Sequence, residues 1–229
     1  MQHDGLSVLM PVYNREKFVV SAIESILQQT YRHFRLIVYD DGSTDSTLRV
    51  VRGFCRRDSR VLLVRNEVNR GVAFARNRLL EAAGRGAACW QDSDDISNIY
   101  RLERVVPVFD QYAPRSVWSH ALFLTPKLKG HWRKKPATSK KGDSIIRASL
   151  LFSVNHAPVF DERLTLGGED VEWNKILEAR VGKPILVRKY LYYVRRHPDR
   201  ISEYKRLPEN AAAVRQQNII RGHAVEVKP

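Results

Sequence analysis

Three carboxylates fall within four residues at Asp92, Asp94 and Asp95, with Ser93 between them. A short apolar run, Ala87-Ala88-Cys89-Trp90, leads into them, and a helical pattern resumes at about Ile99. Like charges this close repel and raise each other's pKa unless a cation or hydrogen-bond donors sit among them. Hard oxygen ligands at alternate positions suit Mg2+ or Mn2+ carrying a substrate diphosphate. The same residues would serve equally as a solvated acidic turn capping the next helix, since Asp and Ser favour N-caps. The stretch by itself leaves both readings open.

The elements around it narrow the choice. Leu6 to Tyr13 is a continuous apolar run of strand length, suited to a central parallel strand covered on both faces. Arg15 to Gln29 has helical spacing. Phe34 to Tyr39 is a second strand ending in Asp40-Asp41-Gly42-Ser43, after which Thr44-Asp45-Ser46 can cap a helix running past Cys55. Val61 to Val64 is a third strand, Val72 to Ala83 a helix closed by Gly84, and Ala87 to Trp90 a fourth strand. Strand and helix thus alternate four times, which predicts an α/β fold with right-handed crossovers and a mostly parallel central sheet flanked by helices. Ligands in such sheets bind beyond the carboxyl ends of the strands. The polar clusters Tyr13-Asn14, Asp40-Asp41 and Asp92-Ser93-Asp94-Asp95 lie at those ends, so they should converge in space.

The second half is less regular. Ile99 to Tyr112 reads as a helix, Ser116 to Leu124 as a strand, and Ala148 to Val154 as another. Lys127 to Lys141 holds seven Lys or Arg, His131, Trp132 and no acid, and with Gly130 and Pro136 it reads as a loop. Glu169 to Arg180 is a helix, Pro184 to Val194 a strand, and Pro208 to Ile220 a terminal helix. With no repeat and no linker, residues 1–229 are expected to form a single compact domain of two joined halves, about 1–112 and 113–229.

Composition sets the outer bounds. At 43% hydrophobic and 28% charged residues, the chain is ordinary for a globular protein. No apolar run approaches the ~20 residues of a membrane span. The first residues show no charged-then-apolar leader. Cys55 and Cys89 fit no zinc spacing. A cytoplasmic, reduced protein is the expectation. The formal net charge of +14 calls for a polyanionic neighbour: a phosphorylated substrate, an anionic membrane face or a nucleic acid.

Five segments in order, VLMPVYN, IVYDDGSTDST, NRGVAFARN, QDSDD and GGEDVEW, resemble the family 2 glycosyltransferases of the GT-A fold. The likeness runs from about Leu6 to Arg200. It implies a GT-A architecture whose first half binds a nucleotide-sugar and whose second half binds the acceptor. It implies that Pro11, Tyr13 and Asp41 hold the base and ribose, a Tyr ring stacking on a base and an Asp accepting from a ring N–H. Arg76 and Asn77 would face the nucleotide or the acidic turn. Asp92 and Asp94 would match the DxD motif, Asp94 as a direct ligand of Mn2+ or Mg2+ and Asp92 reaching ribose or metal. His197 would close on the metal or diphosphate, with Arg195, Arg196 and Arg200 nearby. Asp170, or else Glu169, would be the base that takes the acceptor hydroxyl's proton. Trp173 would line the acceptor or sugar pocket.

The expected activity is therefore inverting, metal-dependent transfer from a nucleotide-sugar, most naturally a UDP-sugar, to an acceptor hydroxyl. The acceptor would be an envelope or capsule glycan or its lipid-linked precursor, with the protein resting peripherally on an anionic membrane through Lys127–Lys141. The alternative is DNA carrying hydroxymethylated bases, which the basic loop would grip by its phosphates. A nucleotidyltransferase would also use strand-end carboxylates, but MPVYNREK is no Gly-rich phosphate loop.

Overall fold

A computed structural model describes residues 5–126, 132–136, 147–164, 169–198 and 200. The expected terminal helix Pro208–Ile220, the Gly167-Gly168 pair and most of Lys127–Lys141 lie outside the described residues.

The centre of the molecule is strand β1, Leu6–Val12, every residue of which is buried. Its side chains alternate between two cores. Leu6, Val8, Met10 and Val12 face one, and Leu9 faces the other. Strand β2, Phe34–Asp41, and strand β4, Ala87–Trp90, flank β1 in parallel, and β3, Val61–Asn66, pairs outside β2. They divide their side chains in the same way: Leu36, Val38, Ala87 and Cys89 to one side, Ile37, Tyr39, Ala88 and Trp90 to the other. A strand buried on both faces has no polar alternation, which is why these segments are continuous apolar runs.

Helices close both faces. Helix α1, Val19–Leu27, α2, Thr47–Arg57, and α4, Arg101–Tyr112, cover the first core, and α3, Val72–Ala83, and α5, Glu169–Val181, cover the second. Helix α1 starts four residues later than its periodicity suggests. Arg15 to Phe18 form a turn instead, and the Arg15 N–H donates to Thr47 Oγ1 at 2.8 Å. The cap of α2 comes from Asp45, whose Oδ1 accepts from the Thr47 N–H at 2.9 Å.

Beyond β4 the sheet is mixed, where a mostly parallel one was expected. Strand β8, Leu151–Ser153, pairs antiparallel with β4 and with β6, Val117–Pro126. Strand β9, Ile185–Arg195, runs parallel to β6. A two-residue strand, β5 at Ile96–Ser97, was not foreseen and pairs antiparallel with β9 at Tyr192 and Tyr193. Strand β7, Trp132–Pro136, corrects the reading of Lys127–Lys141 as a loop: it pairs antiparallel with β6. Backbone pairing of Trp132–Pro136 with a long neighbouring strand overrides Pro136 as a breaker, while Gly130 lies outside the described residues.

Trp173 also departs from expectation. It is 2% exposed, its ring stacks on Phe160 at 5.0 Å, and its Nε1–H donates to the Pro158 carbonyl at 2.6 Å. Phe152 and Trp90 meet it edge-on. It is a core residue. Trp173→Ala is expected to destabilise the protein by about 3–5 kcal/mol. Urea unfolding reads this, and a loss below about 1 kcal/mol would contradict the core assignment.

Candidate functional site

The carboxyl ends of β1, β2 and β4 meet, as their registers require: Val12 lies opposite Asp40, and Leu9 opposite Trp90. The loops leaving them are tied together. The Asn14 N–H donates to Ser43 Oγ at 3.0 Å, and Asn14 Oδ1 accepts from the Thr44 N–H at 2.9 Å. Asn14 has φ 49°, a left-handed conformation that Asn tolerates better than most residues. Gly42, at φ 74°, leaves a Cβ no space, since one would lie 2.8 Å from the Asn69 backbone nitrogen.

Tyr13 stands 40% exposed at the rim, while Pro11 is buried within β1. Asp41 is buried. Its Oδ2 accepts from the N–H groups of Arg70 and Gly71 at 3.0 and 2.8 Å, which fixes the turn that starts α3. Burial raises the pKa of Asp41 against those backbone donors. Asp40 braces its own loop, accepting from the Ser43 N–H at 3.3 Å.

At the end of β4 the three acids are brought together: one carboxylate oxygen from each of Asp92, Asp94 and Asp95 lies within 4.8 Å of the others. Their environments differ. Asp95 is fully buried, its Oδ1 accepts from the Arg195 N–H at 3.0 Å, and its Oδ2 has no hydrogen-bond partner among the described residues. Burial, reinforced by Asp94, raises its pKa well above the usual carboxylate range. Burial also raises Asp92, whose carboxylate is 3.5 Å from Arg76 Nη2. For Asp94, burial is outweighed by the His197 hydrogen bond, 3.1 Å from Nε2 to Oδ2, together with Arg200 and with Arg15 at 3.4 Å, and the pKa falls to about 2. Hard oxygens at this spacing, one of them buried and unpartnered, fit a divalent cation with oxygen preference.

The shape of the turn is set from beneath and from the side. The Asp92 N–H donates to the buried Tyr192 hydroxyl at 3.0 Å, and the Gln91 side-chain amide donates to the carbonyls of Asp92 and Asp95 at 3.0 and 3.2 Å. Arg101, fully buried, bonds Gln91, Ser97 and the Trp90 carbonyl and sits 4.9 Å from the Tyr192 ring. None of these supports was foreseen. Their only signal is the abundance of polar residues in a stretch that a plain acidic turn would leave apolar or solvated.

Arg195, expected near phosphates, is instead a brace. Its guanidinium donates to Ser21 Oγ at 2.6 Å, to the Phe18 carbonyl at 3.0 Å and to the Asp94 carbonyl. Arg196 is exposed over Phe123 at 4.4 Å. Arg200 faces Asp95 at 3.4 Å. His197 packs on Phe18 at 4.1 Å, and its buried Nδ1 has no hydrogen-bond partner among the described residues.

The acids at the start of α5 separate clearly. Glu169 is buried, and its Oε1 accepts from Arg76 Nη1 at 2.7 Å; burial raises its pKa against the Arg76 charge. Asp170 is only partly buried, and among the described residues no hydrogen bond or ion pair engages its carboxylate. Arg76 spans from Glu169 to Asp92 in the acidic turn. Asn77 does not: it exchanges two hydrogen bonds with Phe160, at 2.8 and 3.1 Å, and donates to Glu162 at 2.9 Å.

The family model described as glycosyl transferase family 2 matches residues 7–160. The chain belongs to glycosyltransferase family 2. The segment matched as family 2 ends before Glu169, Asp170 and His197. Among similar family members, a glycosyltransferase of Haemophilus influenzae is 36% identical over 140 residues, 61% of this chain and 55% of its own. The Escherichia coli UDP-Glc:alpha-D-GlcNAc-diphosphoundecaprenol beta-1,3-glucosyltransferase WfgD is 42% identical over 98 residues, 43% of this chain and 38% of its own. The chain thus spans about half the length, or less, of these two curated relatives. The fold resembles S. aureus TarS 1-349, solved with UDP, at TM-score 0.68 and 23% identity over 85% of this chain and 61% of that one. It also resembles the mannosyltransferase PcManGT of Pyrobaculum calidifontis, solved with GDP-Man and Mn2+, at TM-score 0.62 and 17% identity over 84% and 57%. The architecture is that of the GT-A glycosyltransferases.

The low pKa of Asp94 has a measurable consequence in metal-free buffer. Asp94 titrates at about 2 in the fold against 3.8 unfolded, so between those values the unfolded chain binds more protons and stability rises with pH. The contribution is complete above about pH 4 and is lost as pH falls through about 2. Asp92, Asp95 and Glu169 are raised and act in the opposite sense, so the useful comparison is between parent and variant. Asp94→Asn is expected to flatten the rise of the urea midpoint between about pH 2 and pH 4. An unchanged slope would show that His197 and Arg15 do not hold Asp94 ionised.

Proposed function

We propose that this protein transfers a sugar from a nucleotide-sugar, in the first instance a UDP-sugar, to an acceptor hydroxyl with inversion at the anomeric carbon. The convergence of Asp92, Asp94 and Asp95 at the carboxyl end of β4, with Arg76 between Asp92 and Glu169 and with Asp170 next to Glu169 and close enough to act on Arg76 and Asp92 electrostatically, supports this reading. The UDP and UDP-GlcNAc complexes of TarS and the UDP-Glc in the name of WfgD support the choice of nucleotide.

In this reading Tyr13 stacks on the base and the Asp41 carboxylate accepts from its ring N–H, over a floor that includes Pro11. Asp94, Asp92 and His197 would hold Mn2+ or Mg2+. When bound, the cation supplies Lewis-acid compensation for the charge on the departing diphosphate. Asp170 accepts the proton of the acceptor hydroxyl while that oxygen bonds to the anomeric carbon. The bond from that carbon to the diphosphate oxygen breaks, and its electron pair leaves with the nucleoside diphosphate. Arg15 and Arg200, already beside the acids, lie within the anionic end of the site and favour a bound diphosphate.

The acceptor is proposed to be a lipid-linked glycan, as the diphosphoundecaprenol in the name of WfgD suggests. The basic segment Lys127–Lys141, whose Lys134 is exposed on β7, would meet an anionic carrier or membrane face. Among the described residues no helix is long and apolar enough to cross a membrane.

A panel of nucleotide-sugars with Mn2+ tests the proposal by release of nucleoside diphosphate. Release from a UDP-sugar, stimulated by a lipid-linked glycan and not by hydroxymethylated duplex DNA, is the expected result. Stimulation by the DNA would move the acceptor to the nucleic-acid class, and no release from any donor would overturn the transferase reading.

A further inference from the structure

Helix α3 grips the segment that carries the proposed base at two consecutive residues. Asn77 holds both peptide groups of Phe160, and Arg76 holds Glu169, 93 residues away in sequence. Trp173 closes the same segment on itself through the Pro158 carbonyl. Arg76 is itself buried, between the rings of Trp90 and Phe160 at 5.4 and 5.5 Å. It spends its two terminal nitrogens on two different acids: Nη1 on Glu169 at 2.7 Å and Nη2 toward Asp92 at 3.5 Å. A planar guanidinium fixes the direction of both nitrogens at once, so the two carboxylates are held in one relative orientation. One belongs to the metal-side turn, and the other immediately precedes Asp170.

We infer that Arg76 and Glu169 are a pair of positioning residues that set the placement of Asp170 relative to the acidic turn. The inference rests on the transferase reading above, and it assigns Glu169 a role other than base. Glu169 is buried and already bonded to a cation, whereas a base must be within reach of an incoming hydroxyl. Small displacements of a reacting group are costly: about 1 Å can lower a rate on the order of a hundredfold.

The test uses the full chain and reads turnover, UDP binding with Mn2+ by calorimetry, and melting temperature. Glu169→Gln keeps an acceptor for Arg76 but loses the charge. It is expected to lower kcat about ten- to a hundredfold with KM for the donor and the UDP affinity within about twofold. The double variant Arg76→Met/Glu169→Leu removes both charges together, which buried pairs tolerate better than removal of one. It is expected to regain most of the melting temperature lost by Arg76→Met alone while kcat stays at least about tenfold down. If the pair only holds the fold, kcat will instead follow melting temperature and recover in the double variant, which overturns the inference. It is also overturned if Glu169→Gln abolishes transfer while Asp170→Asn retains it, since Glu169 would then be the base. A parent protein that turns over no donor would overturn the transferase reading and the inference with it.

Discussion

Asp170→Asn is expected to lower sugar transfer by about 10²–10⁴-fold while nucleotide-sugar binding stays near that of the parent. The side chain is partly exposed, and among the described residues it makes no hydrogen bond or ion pair that an isosteric amide would break. The amide cannot take up a proton, and it also removes a negative charge that acts on Arg76, Asp92 and Glu169. Loss concentrated in kcat, with the donor dissociation constant unmoved, would separate a base from a residue that merely binds substrate. Full transfer by the variant would move the base elsewhere.

Asp94→Asn should cost turnover on the order of several kcal/mol of transition-state stabilisation while leaving the fold intact at neutral pH. Three basic groups, His197, Arg15 and Arg200, already converge on Asp94. Their presence makes the variant informative in two ways. Without the carboxylate, these groups face one another with less negative charge between them, so the variant should bind free nucleoside diphosphate without metal at least as well as the parent does. Metal-dependent binding should weaken in the same titration. If parent and variant turn over equally, and both equally in EDTA, no cation takes part at this position.

Much of the fold is legible in the sequence because β1, β2 and β4 are buried on both faces. Burial of that kind writes itself as an unbroken apolar run, and the end of each run marks where the polar cluster begins. Convergence of the clusters follows from parallel pairing alone. What stays hidden is whatever depends on a distant partner. Glu169 and Asp170 are adjacent acids of similar chemistry, and nothing local says that one will be taken by Arg76 and the other left open. Arg195 and Arg200 read alike as basic residues of one segment, yet the first is locked under the acidic turn and the second lies at its edge. Trp173 looks like a pocket residue because it follows the acids by one helical turn, but the helix points it into the aromatic cluster of Trp90, Phe152 and Phe160. Strand β5, at two residues, is too short to leave any periodicity.

The brace formed by Arg195 also bears on how the molecule is made. Asp95 and the Arg195 N–H that it accepts are 100 residues apart, and His197 lies further still from Asp94. A ribosome delivers chain from the amino terminus, so the acids of the turn are made well before Arg195. Of the basic groups that face them among the described residues, Arg15 and Arg76 precede the turn in the chain. Arg195, His197 and Arg200 arrive last. Docking of β9 is therefore a late step that turns an acidic strand end, still short of counter-charge, into a shaped receptacle. A chain that stops short of Arg195 lacks the Arg195, His197 and Arg200 contacts to the acidic turn, and its charge cluster keeps an excess of negative charge.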